Sequence, residues 1–99
     1  TMSLNETSLE RGETNGWFVY MLRCADGTFY TGITTDPDRR VREHNGEKAA
    51  KYTRARQPVE LVYLENAPDR SLATRREMEI KRQSRAKKKV LCEIYAIRS

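Results

Sequence analysis

The residue pattern predicts an α+β domain with the order β-β-α-β-α-α. Three observations lead to it. Residues 17–24 form a β-branched and aromatic run that is apolar at nearly every position. Asp26-Gly27 follows at once as a turn signal, and the C-terminal third carries apolar residues at helical spacing.

A run apolar on both faces suits a central strand covered on both sides. Ala25-Asp26-Gly27 then closes a hairpin onto a second strand, residues 28–34. Asp36-Pro37 places a capping carboxylate before a proline at the first helical position, opening a short helix to about Asn45 that Gly46 stops. Residues 46–57 are polar and basic and read as a loop. A third strand is expected over 59–64, after Pro58. Residues 66–70 read as a turn, with Asp69 capping a helix from 70 to about 84. A last helix covers about 86–97, and Val90, Leu91, Ile94 and Ile97 form its apolar stripe. If the second strand crosses to the third through the first helix, a right-handed connection places strand one in the middle.

Ninety-nine residues, 37% of them hydrophobic and 33% charged, allow one domain with a modest core. No stretch approaches the ~20 apolar residues of a membrane span. No secretory segment opens the chain, so a cytoplasmic location is expected. Cys24 and Cys92 are too few for a disulfide framework, and one histidine without Cys-x-x-Cys argues against structural zinc. Residues 1–16 hold Glu6, Glu10, Glu13 and Arg11 and no aromatic side chain, the composition of a disordered leader; the threonine ahead of Met2 reads as a residue added in cloning. Residues 17–99, the expected folded domain, carry 18 basic and 11 acidic side chains. The densest stretch runs from Lys81 to Lys89, with six cations and no acid. It reads either as a solvated helix face or as a surface for a polyanion.

Hairpin register decides where two tyrosines lie. A two-residue loop sends Tyr20 and Tyr30 to opposite faces of the sheet. A three-residue loop pairs Leu22 with Tyr30 and Tyr20 with Gly32, so both tyrosines share a face at ~7–8 Å between backbone positions. Ala-Asp-Gly suits the three-residue form, with Gly27 left-handed. Gly32 beside Tyr20 would then leave room for a ligand. On the first helix, Arg40 and His44 project from one face beside Val41, while Arg39, Arg42 and Glu43 point elsewhere. On the later helix Leu72, Ala73 and Ile80 define the buried stripe, with Arg76 inside it and Glu77 at its edge. A carboxylate there needs a partner, either an arginine or a hard metal ion such as Mg²⁺.

Phe18-Val19-Tyr20, the ten-residue step to Tyr30-Thr31-Gly32, and Asp36-Pro-Asp-Arg-Arg40-Val-Arg-Glu-His44-Asn together resemble the GIY-YIG nuclease superfamily. Residues 71–81, which contain Glu77, look like its later helix with an acidic residue. The resemblance covers about 17–90 and is closest to the short, single-domain bacterial branch. It extends to the nuclease module of the structure-specific endonuclease that trims branched DNA. Phe18 and Val19 stand where the first motif has glycine and isoleucine, and Thr31 where the second has isoleucine.

The resemblance implies a three-stranded antiparallel sheet flanked by helices, and hydrolysis of a phosphodiester with one divalent metal, Mg²⁺ or Mn²⁺. It makes Tyr20 and Tyr30 the motif tyrosines, Gly32 the motif glycine, Arg40 the motif arginine, His44 its polar partner and Glu77 the metal ligand. Glu79 is a rival, but ~200° further round the helix it should face solvent. A tyrosine with a reference pKa of ~10 needs a metal or Arg40 nearby to act as a base at neutral pH. One tyrosine would deprotonate water and the other orient it, with the roles undivided. Arg40 suits two phosphate oxygens through its planar fork. Lys51, Arg54, Arg56, Lys81, Arg82, Arg85, Lys87, Lys88 and Lys89 would hold the nucleic-acid backbone. The expected partner is DNA, branched or damaged, with RNA an open alternative and a protein partner supplying targeting. Two other classes stay open: a non-catalytic nucleic-acid-binding module, and an adaptor that recruits repair proteins.

Overall fold

Residues 16–98 are described by the computed structural model, so the expected leader lies outside the described residues except for Gly16. The elements run β1 (Trp17–Arg23), β2 (Phe29–Thr34), α1 (Pro37–His44), α2 (Lys51–Arg54), β3 (Glu60–Ala67), α3 (Arg70–Lys81) and α4 (Arg85–Arg98). The sheet order is β2-β1-β3 with both pairings antiparallel. This is the α+β architecture the pattern predicts, with the doubly apolar strand in the centre.

β1 is central because its alternation feeds two cores. Val19 and Met21 pack on one face with Ala67, Ala73 and Ile80, supported by Leu91 and Cys92. Tyr20, Leu22 and Cys24 pack on the other with Val59, supported by Tyr30, Val41, Leu61 and Leu64. Thus α3 and α4 cover one face and α1 the other. Burying a large aliphatic side chain such as Leu22 or Ile80 contributes ~1.5–3 kcal/mol. A register shift in the β1–β3 pairing between Met21 and Leu22 leaves Val62 opposite no partner, so Val62 and Tyr63 both reach the first core.

Five local expectations change, among them Leu72, expected in the buried stripe of α3 and found exposed while Ala73 and Ile80 are buried. The stretch 46–57 contains a short helix, α2, whose four residues are too few to show a period. β3 continues through Ala67, because Trp17 at the start of β1 offers it a partner there. α3 ends at Lys81, with Arg82 as its C-cap, and α4 starts three residues on. α4 is also rotated from the expected stripe: Leu91, Cys92 and Tyr95 meet the sheet, Tyr95 edge-on to Tyr63. Val90 and Ile94 are exposed and Ile97 is 83% exposed. Among the described residues no helix is long and apolar enough to cross a membrane.

Candidate active site

The site starts from one glycine. Gly27 has φ +86°, the left-handed conformation that closes a three-residue hairpin loop, and Cys24 N–H donates to the Thr28 carbonyl across it at 2.8 Å. That loop sets Leu22 opposite Tyr30 and Tyr20 opposite Gly32. Both tyrosines therefore share a face, with ring centroids 6.4 Å apart. The room at Gly32 is not left for a ligand, as expected, but filled from within. The Tyr20 phenol lies over it, and a Cβ there would fall 2.5 Å from the Tyr20 hydroxyl.

α1 begins where Asp36 accepts from the Arg39 N–H, followed by Pro37 at the first helical position. This phase turns Val41 and His44 to the sheet. His44 is fully buried, its Nε2 2.9 Å from the Tyr20 hydroxyl and its Nδ1 2.6 Å from Thr53 Oγ1. Its ring lies 5.0 Å from that of Tyr30. Arg40 lies close enough for its charge to act on Tyr20, and its Nη1 donates to Glu43 Oε1 at 2.8 Å. Glu43 therefore does not point elsewhere, as the helical spacing suggested. One turn of helix lets it reach back to Arg40, and that guanidinium holds its carboxyl below the usual range.

Tyr20 and His44 are both neutral at pH 7. Burial, then the neighbouring Tyr30, pushes the Tyr20 phenol up to about 12 against the opposing pull of Arg40, and Glu77 adds a smaller upward push. Burial, then the charge of Arg40, pulls His44 down to about 4, with Glu43 opposing. Desolvation dominates both shifts.

Glu77 sits at the edge of α3's buried side, with a side chain 18% exposed, and pairs with exposed Lys81 at 3.4 Å. Arg76 does not take it; that guanidinium bridges Glu65 and Glu79 instead. Glu79 is 53% exposed, on the solvent side that helical geometry assigns to it. Among the described residues no three His, Cys, Asp or Glu side chains gather into a metal cage. Glu77 suits a different arrangement. A half-buried carboxylate whose ion pair is long and reaches into solvent can offer oxygen to a hard cation, which keeps waters and phosphate oxygens as its other ligands.

The predicted backbone cations divide. Arg54 donates to the Glu47 carbonyl, Arg56 binds Asp26 and lies 3.9 Å over the Tyr52 ring, and Arg85 donates to the Gly27 carbonyl. Lys51, Arg82, Lys87 and Lys89 are exposed, and Lys88 is half-buried. Sequence reasoning missed Thr53. It stands in a segment without periodicity, and only its contact across the fold identifies it.

This geometry has counterparts. A sequence model of the GIY-YIG catalytic domain, a nuclease-type fold, matches residues 16–90. The UPF0213 protein of Desulfotalea psychrophila is 54% identical over 86 residues, covering 84% of this chain and 78% of that protein. The UPF0213 protein of Natronomonas pharaonis is 57% identical over 74 residues, covering 75% and 87%. The solution structure of a UPF0213 protein from Bacillus halodurans has a TM-score of 0.52 at 47% identity, covering 80% of this chain and 84% of that one. A second solution structure, from E. faecalis, has a TM-score of 0.56 at 38% identity, covering 83% and 88%. A hairpin that brings two tyrosines together, an arginine and a histidine one turn apart on α1, and a match over three quarters of the length lead to one conclusion: the chain belongs to the GIY-YIG catalytic-domain family.

Proposed function

We propose that this domain is a metal-dependent endonuclease that hydrolyses phosphodiester bonds in DNA, acting in the cytoplasm on branched or damaged substrates. The supporting observation is the hydrogen bond between Tyr20 and His44 Nε2, beside the ring of Tyr30 and the charge of Arg40. Hydrolysis needs an activated water and stabilisation of charge on the phosphorus oxygens. Glu77 would hold one Mg²⁺ or Mn²⁺, which when bound supplies Lewis-acid polarisation of a phosphate oxygen. Arg40 is set to grip two phosphate oxygens through its fork.

Tyr20 is the proton carrier in this reading, because it alone of the two tyrosines bonds His44. Both partners are neutral at rest, so no standing phenolate is available. The transfers are therefore coupled. Water gives a proton to the Tyr20 oxygen as Tyr20 passes its own to Nε2, and the water oxygen bonds to phosphorus. The P–O bond to the leaving group breaks, and the proton on Nε2 returns through Tyr20 to the departing oxygen or to bulk water. Tyr30, half-buried at the rim, orients the water or the phosphate. Lys81, Arg82, Lys87, Lys88 and Lys89 hold the flanking backbone. A partner protein is the natural source of targeting for a domain with so little surface beyond its cluster.

One observation favours a second reading, a nucleic-acid-binding module without catalysis. Tyr20 is only 2% exposed, as befits a structural side chain. Incubation with branched, nicked, single-stranded and duplex DNA, with Mg²⁺, Mn²⁺ or chelator, separates the two. The endonuclease produces metal-dependent cleavage that Tyr20→Phe and Glu77→Ala abolish. Intact substrates, with binding that persists in chelator and falls steeply with salt, would establish the binding module.

A further inference from the structure

A chain of three hydrogen bonds runs from the Tyr20 hydroxyl into the protein, and its far end fixes its direction. Thr53, fully buried in α2, places Oγ1 3.2 Å from the Ala50 carbonyl and 2.6 Å from His44 Nδ1. A carbonyl only accepts, so the Thr53 hydroxyl hydrogen is spent on Ala50. Its oxygen then faces Nδ1 as an acceptor, and Nδ1 must carry the ring proton. A neutral imidazole has one N–H, which leaves Nε2 with its lone pair towards Tyr20, 2.9 Å away. The phenol therefore gives its hydrogen to Nε2, which has no hydrogen of its own to offer.

We infer that Thr53 is a positioning residue that holds His44 as the Nδ1–H tautomer, keeping Nε2 open to receive the Tyr20 proton. Thr53 does not touch substrate; it acts through the imidazole, as a second hydrogen bond does for many working histidines. α2 is held in place for this by the Gln57 side chain, which donates to the His44 and Gly46 carbonyls at 2.8 and 3.0 Å, and by the Arg54 bond to the Glu47 carbonyl. The segment after α1 is thereby folded back so that Thr53 meets His44 nine residues on. During proton transfer Nε2 gains a proton while Nδ1–H stays on Thr53, so the cation formed is already hydrogen-bonded. The tautomer is a property of the resting protein, whereas its use in proton transfer rests on the nuclease reading.

The sequence contains one histidine, which makes the test direct. Long-range ¹H–¹⁵N spectra of uniformly ¹⁵N-labelled protein at pH 7, with any purification tag removed, report which ring nitrogen is protonated. The expected spectrum shows a protonated Nδ1 and an unprotonated Nε2. Thr53→Ser should keep it, and Thr53→Val should lose the fixed tautomer. In cleavage assays Thr53→Val should lower kcat on the order of tenfold or more with KM retained, and Thr53→Ser should restore it. A wild-type spectrum with Nε2 protonated overturns the assignment before any variant is made. A fixed Nδ1–H tautomer in Thr53→Val overturns the role of Thr53. If the tautomer is as assigned and no substrate is cut, the positioning role stands and the nuclease reading falls.

Discussion

Tyr20 occupies the space that a side chain on residue 32 would need: a Cβ on Gly32 would stand 2.5 Å from the Tyr20 hydroxyl and 2.7 Å from Cζ. The glycine is thus the floor on which the phenol lies. Gly32→Ala should push the ring out of line with His44. We expect cleavage to fall by on the order of a hundredfold, the cost of a displacement near 1 Å at a reacting group. Overpacking should cost ~1–3 kcal/mol of stability. Urea denaturation beside cleavage kinetics checks both; an alanine variant with wild-type turnover would show that the phenol's placement is immaterial.

Acid should weaken the fold through His44. Its folded pKa of about 4 lies below the ordinary 6.5, so its stabilising contribution is full above 6.5 and lost as pH falls towards 4. The groups facing it are Arg40 and Glu43 from α1, Tyr20 from β1, Tyr30 from β2 and Thr53 from α2. Of these Glu43 is the carboxylate, and the hydrogen bond from Arg40 holds it below the usual range. Urea midpoints measured from pH 7 to 5 should fall in the wild type and stay flatter in His44→Asn. Tyr20 gives the opposite limb: raised to about 12, it contributes fully below pH 10 and is lost as pH climbs through 12.

Two carboxylates two residues apart on α3 should behave differently. Glu77→Ala should abolish metal-dependent cleavage and weaken Mn²⁺ binding read by water-proton relaxation. Glu79→Ala removes only a surface pair with Arg76 and should stay within ~0.5 kcal/mol of wild type and near full activity. Equal losses in the two variants would refute the assignment of Glu77.

The basic side chains should separate by assay. Neutralising Lys87 and Lys89, which are exposed on α4, should lower DNA affinity and flatten the salt dependence, by about 0.9 in log–log slope for each phosphate no longer neutralised. Arg56→Ala should instead lower the urea midpoint, because that guanidinium joins Asp26, the Tyr52 carbonyl and the Tyr52 ring.

Much of the fold was legible because it is written in local chemistry. The apolar run of β1, the Ala-Asp-Gly loop and the caps Asp36 and Asp69 each act within a few residues, and each predicts its element. The register followed from loop length alone, and with it the shared face of Tyr20 and Tyr30. What stayed hidden depends on contacts across the chain. α4's rotation is decided by Tyr95 meeting Tyr63, which no stripe in α4 encodes. Thr53 carries no local mark, since its importance is a bond to a residue on another helix. The filled space at Gly32 depends on the direction of one side-chain rotamer, beyond the reach of spacing.

The hairpin loop binds more than two strands. Ala25 N–H donates to the Arg56 carbonyl at 2.9 Å, Asp26 receives the Arg56 guanidinium, and the Gly27 carbonyl receives Arg85 at 2.9 Å. Hairpin tips commonly absorb insertions without harm. This one is a junction where the segment after α2 and the start of α4 are both moored. Lengthening it by a residue would unfasten both and slip the register that puts Tyr20 beside Tyr30. A surface turn, ordinarily the place where a chain tolerates growth, is here held to its length by three bonds to two distant segments.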